Sequence, residues 1–208
     1  MLFAPWALAG SVTGSVSVTD KAGRPAADVQ ETVIYVEGTR PRAKPEAEKI
    51  VMRGKAFLPR VVVVPVGGSV AFPNEDPILH NAFSVSGDNR FDLELYRRPQ
   101  SKSWTFPKPG IVRVYCNIHP QMSAIVVVAD SGHYTKAAAD GTFSIADVSP
   151  GSYLLKAWHE RGGEVSQEIT VTEDPPARVQ LALDASSYKR VQHKNKFGKD
   201  YTAGEDKY

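Results

Sequence analysis

The segment from Cys116 to Met122 carries three different metal-binding side chains within seven residues: the thiol of Cys116, the imidazole of His119 and the thioether of Met122. It follows the β-rich run Ile111–Cys116, which places the group where a strand ends and a loop begins. Two histidines and one cysteine in a trigonal plane, with a weak axial methionine, form the ligand set of a blue (type 1) copper centre. His80, further upstream, is the natural candidate for the second histidine. The spacing therefore predicts one copper ion held by these four residues.

Three other interpretations of Cys116 fit the sequence less well. Structural zinc sites usually take four Cys or His ligands in closely spaced pairs, and a thioether is a poor zinc ligand. A nucleophilic dyad of Cys116 with His119 or His80 leaves the spacing of Met122 unexplained, and no glycine-rich oxyanion loop is evident. The third interpretation is a buried core thiol with incidental neighbours. Because Cys116 is the one cysteine, a disulfide within the chain is excluded.

The remaining histidines, His133, His159 and His193, stand singly, with no His-x-His pair. A multicopper oxidase needs such pairs for its trinuclear centre, so oxidase chemistry is disfavoured and we expect no enzyme. We interpret His159 as a structural residue at a strand end and place His193 in a solvated tail.

The composition and the residue pattern around this site are those of a soluble all-β protein. The chain has 208 residues, of which 42% are hydrophobic and 23% charged, enough for one large or two small domains. A net charge of +2 does not indicate nucleic-acid binding, and no apolar run is long enough to span a bilayer. No stretch keeps a helical period over ten residues, whereas many short β-rich runs are separated by turn residues.

The β-rich runs differ in their burial pattern. Residues 12–18 alternate between apolar and polar, which predicts a half-buried strand, and Thr32–Val36 is a continuous β-branched and aromatic run typical of a strand buried on both faces. The other predicted strands are Lys49–Leu58, Val61–Val66, Ser69–Phe72, Ala82–Val85, Lys102–Phe106, Ile111–Cys116, Ala124–Ala129, Thr142–Ala146, Ser152–His159, Glu164–Thr172 and Arg178–Leu183.

The two ends of the chain differ from the rest in composition. Residues 1–10 are apolar and finish with small residues, like the last part of a secretory signal, which predicts an exported protein; an ordinary hydrophobic first strand is the alternative. Residues 185–208 contain six basic and three acidic residues and little to bury. This composition predicts a solvated polar tail, with a functional basic arm as the alternative.

Residues 46–130 resemble the cupredoxins, which are Greek-key β-sandwiches with a type 1 copper site. The likeness rests on the Cys-x2-His-x2-Met spacing, which is that of amicyanin-like members, and on the run Lys55-Ala-Phe-Leu-Pro59, Val61–Val66 and Gly67-Gly68 that leads to His80. The resemblance implies a periplasmic carrier of single electrons between a redox partner such as a dehydrogenase and a c-type cytochrome, in methylamine oxidation. A non-redox module that binds copper, carbohydrate or protein is the alternative.

The same resemblance assigns a role to each residue of the motif. It makes His80, Cys116 and His119 the equatorial ligands and Met122 the axial ligand. Asn81 matches the asparagine whose backbone N–H bonds the thiolate and whose side chain ties the two ligand loops together. Hydrogen bonds of this kind, made by residues next to the ligands, hold the ligands in place even without the metal.

Four apolar residues next to the ligands suggest where a partner protein docks. Ile118 and Pro120 flank His119, and Pro77 and Ile78 precede the other histidine. We expect them to form a collar around a solvent-facing edge of His119. The lysine-rich tail that begins at Lys189 is the competing docking site.

The segments on either side of the cupredoxin-like region carry a second resemblance. Residues 16–25 and 35–38 are similar to the opening of a carboxypeptidase regulatory-like module, and residues 139–143 and 148–153 to its second half. This module is a small transthyretin-type (prealbumin-like) β-sandwich, and the resemblance implies that residues 11–45 and 131–184 form it together. We therefore expect the cupredoxin domain, 46–130, to be inserted into this module. Some relatives of such modules bind carbohydrate, and the motif itself implies no catalysis.

Overall fold

The computed structural model describes residues 9–40 and 47–201, and in this part of the chain the fold is all-β, as predicted. The described residues divide into two compact units, one made of 9–40 and 131–189, the other of 47–130 and 190–201. Most of the predicted signal remnant lies outside the described residues, and Gly10 opens the first strand. Within the described residues, no helix has the length and apolar character needed to cross a membrane.

Seventeen strands and two short 3-10 turns, Val29–Glu31 and Gly87–Asn89, make up the described secondary structure. In chain order the strands are β1 (Gly10–Thr19), β2 (Val33–Val36), β3 (Glu48–Lys49), β4 (Val51–Arg53), β5 (Ala56–Leu58), β6 (Val61–Pro65), β7 (Ser69–Pro73), β8 (Phe83–Ser84), β9 (Phe91–Asp92), β10 (Ser101–Thr105), β11 (Gly110–Tyr115), β12 (Ser123–Ala129), β13 (Tyr134–Lys136), β14 (Thr142–Val148), β15 (Gly151–His159), β16 (Gly163–Val171) and β17 (Ala177–Asp184).

The first unit contains a three-stranded sheet in the order β14-β1-β17 and a four-stranded sheet in the order β13-β2-β15-β16. Alternate residues of β1, among them Val12, Val16 and Val18, share one buried cluster with Ile34 and Leu155 of the other sheet. The period-two pattern of β1 thus places its apolar face on this core, as expected for a half-buried strand. The unit is a two-sheet β-sandwich in which β1 and β2 are both interior strands.

The second unit contains a five-stranded sheet in the order β6-β12-β11-β8-β9, a three-stranded sheet in the order β10-β7-β3, and the hairpin β4-β5. One buried cluster joins the two larger sheets through residues such as Val114 and Val126 on one side and Val70 and Phe72 on the other. Cys116 and Met122 belong to the same cluster. The metal-binding motif is therefore at the margin of a continuous apolar core.

The prediction of one strand over Lys49–Leu58 is wrong. The chain instead makes a β-hairpin, with β4 antiparallel to β5. Gly54 and Lys55 both have positive φ angles, 61° and 54°, so the backbone reverses between the two strands. A two-residue turn with both residues at positive φ is typical of tight hairpins, and glycine adopts that conformation without steric cost.

Candidate metal centre

His80 lies in the loop between β7 and β8, and its backbone is held from two sides. It exchanges backbone hydrogen bonds with Tyr96, with N···O distances of 3.2 and 2.9 Å. The side-chain amide of Asn74 donates to the carbonyl oxygens of Ile78 and Tyr96, both at 3.0 Å. These bonds close the loop and fix the position from which the imidazole enters the core.

The imidazole of His80 is oriented by Asp76, a residue that the sequence analysis missed. Its Nε2–H donates to Oδ2 of Asp76 at 2.7 Å, and the same carboxylate accepts from the backbone N–H groups of Gly54 and Lys55 at 2.7 and 2.9 Å. Burial opposes the ionisation of Asp76, but these three donors outweigh it and hold the pKa of the carboxyl below its usual value. Because Nε2 carries the proton, Nδ1 of His80 keeps a lone pair for a metal ion.

Cys116 and Met122 are brought together by the hairpin that joins β11 to β12. Tyr115 pairs with Ser123 at the end of the ladder, and the next pair closes with the Cys116 N–H donating to the Met122 carbonyl at 3.3 Å. Inside this loop the Met122 N–H donates to the His119 carbonyl at 3.0 Å. The side chains of Cys116, His119 and Met122 are all fully buried.

Three donor atoms meet at one point in the second unit. Nδ1 of His80 lies 3.0 Å from Nδ1 of His119 and 4.0 Å from Sγ of Cys116, which is 3.6 Å from Nδ1 of His119. A point equidistant from atoms with these separations lies about 2.1 Å from each, close to the roughly 2.0–2.3 Å of metal–nitrogen and metal–sulfur bonds in proteins. The donor set and its spacing are those of a type 1 copper site, with Met122 beside it in the loop.

The environment of Cys116 argues against a nucleophilic role. The residue has no solvent exposure, and burial raises the pKa of its thiol, although backbone N–H groups of Asn81, Ile118 and His119 oppose that shift. A reactive cysteine needs access and a lowered pKa. A bound metal ion would overcome the effect of burial on the thiol, because a thiol that coordinates an ion is deprotonated.

Asn81 connects the two ligand loops. Its backbone N–H favours the thiolate form of Cys116 and so opposes the rise in the pKa of the thiol. Its Oδ1 accepts the backbone N–H of Asn117 at 2.7 Å, and its Nδ2 donates to Asp92 at 3.1 Å. Asn81, which follows His80, thus holds Asn117, which follows Cys116, and this bond fixes the separation of the two ligand loops.

The expected collar of apolar residues does not surround an exposed ligand edge. Pro77 is exposed and Ile78, Ile118 and Pro120 are half-buried, but His119 has no accessible surface. The expectation that an edge of His119 reaches solvent is therefore wrong. A second segment of the chain contacts the loop that carries His119.

That segment is residues 190–201, which we term the C-terminal strap. The ring of His193 stacks on Tyr115 with centroids 3.9 Å apart and planes 17° apart, and its Nε2 lies 2.7 Å from the Pro120 carbonyl oxygen. The hydroxyl of Tyr201 donates to the carbonyl oxygen of Cys116 at 2.8 Å. The interpretation of this part of the tail as solvated is wrong, because polar and aromatic groups fasten it to the second unit without burying aliphatic side chains.

Lys196 adds three further contacts between the strap and the residues around the site. Its backbone N–H donates to Oδ1 of Asn117 at 2.9 Å, and its ammonium group bonds Asp92 and Glu94 at 2.6 and 3.1 Å. Asn117 is thereby held by Asn81 on one side and by the strap on the other. No motif marks these contacts in the sequence, because they join residues about 80 to 100 positions apart.

The other histidines lie away from the centre. His133 bonds the carbonyl of Asp147, and His159 is buried beside Asp28, with Nε2 3.5 Å from the carboxylate. In the described part of the chain, one cluster of at least three His, Cys, Asp or Glu side chains has converging ligand atoms, and it consists of His80, Cys116 and His119.

No protein-family model and no curated protein matches the chain. Among solved structures, the chain is similar to a copper-containing nitrite reductase from Thermus scotoductus, with 30% identity over 43% of this chain and 25% of that one, and a TM-score of 0.39. It is also similar to a purple cupredoxin from Nitrosopumilus maritimus, with 21% identity, 39% and 99% coverage and a TM-score of 0.36. A reduced Cu(I) amicyanin variant gives 22% identity, 46% and 97% coverage and a TM-score of 0.38. The chain thus spans only a quarter of the nitrite reductase.

Proposed function

We propose that this protein binds one copper ion through His80, Cys116, His119 and Met122 and carries single electrons between redox partners, without catalysing a reaction of its own. The observation that carries the proposal is the convergence of two imidazole nitrogens and one thiol sulfur within 4.0 Å of one another in a fully buried site. When bound there, copper supplies a one-electron couple between Cu(I) and Cu(II).

The residues around the site are suited to letting a bound ion change its charge without movement of the ligands. Asp76 fixes the ring of His80, and Asn81 ties the loop of His80 to the loop of Cys116. Backbone N–H groups at Asn81, Ile118 and His119 act to lower the pKa of the Cys116 thiol, against the effect of its burial. Ligands held in this way keep their positions in both oxidation states, so little reorganisation opposes electron transfer.

The wider setting of the proposal comes from the resemblance of residues 46–130 to amicyanin-like cupredoxins and from the signal-like residues 1–10. We place the protein in the periplasm, exchanging electrons with a dehydrogenase or a c-type cytochrome in methylamine oxidation. In our proposal, residues 11–45 with 131–184 form a carboxypeptidase regulatory-like sandwich, and the copper domain is inserted into its sequence.

Voltammetry of the copper-loaded protein separates this function from its rival, a module that binds copper without redox turnover. A carrier gives a reversible one-electron wave with closely spaced anodic and cathodic peaks. A protein that binds copper tightly and gives no reversible wave, or loses the metal on reduction, contradicts the proposal. Cys116→Ala is the matched control, because it removes the thiolate and leaves the strands in place.

A further inference from the structure

The C-terminal strap lies against the loop that carries three of the four residues assigned as ligands. All four residues assigned as ligands are fully buried: His80, Cys116, His119 and Met122. Electron transfer slows steeply with distance, so a partner has to approach through whatever lies over the ligands. The part of the strap from His193 to Tyr201 contacts the ligand loop at Cys116, Asn117 and Pro120.

The strap is also hydrogen-bonded directly to a ligand residue. The Tyr201 hydroxyl is one hydrogen bond, 2.8 Å, from the carbonyl of Cys116, and it lies 3.2 Å from Nδ1 of His193. His193 in turn stacks on Tyr115, the residue covalently bonded to the ligand cysteine. Tyr201 is itself half-buried, so part of the residue that bonds Cys116 is accessible to solvent.

The outer face of the strap carries positive charge and apolar surface together. Arg190 and Lys199 are exposed, and Lys194, also exposed, lies 4.0 Å from Asp200, the acidic residue of the strap. Between these charges, Val191 and Phe197 are 84% and 70% exposed. An apolar patch among like charges is suited to a transient contact of small area, in which charge steers the approach.

We propose that the C-terminal strap is the docking surface for a one-electron redox protein with an acidic face, and that Tyr201 provides the bonded link from this surface to Cys116. The inference rests on the proposed function and replaces the collar around His119 as the site of electron exchange. One electron passes from the reduced centre to the oxidised centre of the partner, and no atom or proton is transferred.

The first test maps the docking site without electron transfer. Reduced, copper-loaded, ¹⁵N-labelled protein is titrated with reduced succinylated cytochrome c, whose modified lysines give it an acidic surface. We expect amide shifts in residues 190–201. Shifts confined to the amides of Ile78 and Ile118, or no difference between succinylated and native cytochrome c, overturn the inference.

The second test measures the rate of electron exchange with the same two cytochromes by stopped flow. Reversing charge at Arg190→Glu and Lys199→Glu together is expected to slow exchange with succinylated cytochrome c roughly tenfold or more at low ionic strength, and to speed exchange with the native, basic form. Lys108→Glu is the matched control, since Lys108 is exposed at the opposite end of β11. Equal effects of the strap and control variants contradict the proposal.

Tyr201→Phe tests the bonded link separately from docking. The ring remains but the hydroxyl is lost, so we expect unchanged amide shifts on titration and a slower rate at saturating partner, after allowance for any change in midpoint potential. An unchanged rate at saturation overturns the role of Tyr201. If the protein is not blue or shows no reversible wave, the proposed function fails; if it is blue and reversible while the strap variants are silent, only this inference fails.

Discussion

The carboxylate of Asp76 bonds one nitrogen of the His80 ring, and the other nitrogen of that ring faces Cys116. Its bond to Nε2 of His80 measures 2.7 Å, and the side chain of Asp76 is only 10% exposed. A carboxylate paired with a metal-binding histidine orients the ring and makes its other nitrogen a stronger donor. Its negative charge also favours the more highly charged state of an ion bound there, which is Cu(II).

Asp76→Asn is therefore expected to raise the midpoint potential and to weaken Cu(II) binding by about 10–100-fold. The carboxylate accepts three N–H groups, and the amide nitrogen that replaces one of its oxygens accepts none. At least one of the three bonds is therefore lost, and some stability with it. Voltammetry and competitive copper titration measure the two effects.

Glu75→Gln removes the same charge from the neighbouring residue, whose exposed side chain pairs with Arg53. It is expected to leave the potential unchanged. Equal shifts in both variants would mean that Asp76 acts through general charge and not through its bond to His80.

Met122→Gln tests the assignment of the axial ligand. Met122 is fully buried in the ligand loop, and a thioether is a soft, weak ligand that favours Cu(I). An amide oxygen is harder and favours Cu(II), so the variant is expected to stay blue and to have a lower midpoint potential. A raised or unchanged potential in voltammetry shows that Met122 is not axial.

At the residue scale, the spacing of Cys116, His119 and Met122 was enough to predict a shared loop, because ligand types and their order are local properties of the sequence. Asp76 was missed although it lies four residues before His80. An acidic residue in a polar loop is ordinary, and nothing in the local pattern shows that this carboxylate faces Nε2. The contact between the strap and the ligand loop was also missed, since it joins residues 73 positions apart.

At the scale of elements, the position of the two ligand loops depends on Asn81. Asn81→Ala removes its bonds to Asn117 and Asp92, which leaves a partly buried backbone N–H without that acceptor. We expect a loss of about 1–3 kcal/mol in the free energy of unfolding of the copper-free protein. We also expect weaker copper binding and a shifted blue absorption band.

Asn89→Ala is the matched control for this prediction. Asn89 is 5% exposed and makes a comparable pair of bonds with the backbone of Lys108, at 2.9 and 3.3 Å. Denaturant unfolding should show a similar loss of stability, with copper binding and absorption unchanged. If both variants change the absorption band alike, the effect is general destabilisation and Asn81 has no special role.

Most strands were predictable because burial follows the period-two pattern, as in β1, or a continuous apolar run, as in β6 and β12. The hairpin β4-β5 was not recognised because a single glycine, Gly54, inside a β-rich run also fits a bulge, and the turn depends on the backbone conformation of two residues. The strap was not recognised because hydrogen bonds and one ring stack hold it, and these leave no periodic apolar signal.

At the scale of the whole molecule, the first unit needs both of its sequence segments. β1 lies between β14 and β17, and β2 lies between β13 and β15. A fragment of residues 131–208 lacks an interior strand in each sheet, so it exposes unpaired edges and an open core. We predict that this fragment does not melt cooperatively, and that a fragment of residues 46–130 folds and binds copper.

Circular dichroism during heating measures both fragments. Cooperative melting of 131–208 alone contradicts the proposal that residues 11–45 and 131–184 form one folded unit. Fragment 46–130 lacks the strap, so its copper should be more accessible to external chelators than copper in the full chain.

The most direct test of the metal assignment is a titration of the purified, metal-free protein with Cu(II). We expect an intense blue colour from thiolate-to-copper charge transfer that saturates at one equivalent and is lost in Cys116→Ala. The β-rich circular dichroism spectrum should be the same before and after copper addition, because the ligands are already in position. A colourless or pale product, or an apoprotein that is unfolded until copper is added, contradicts the account.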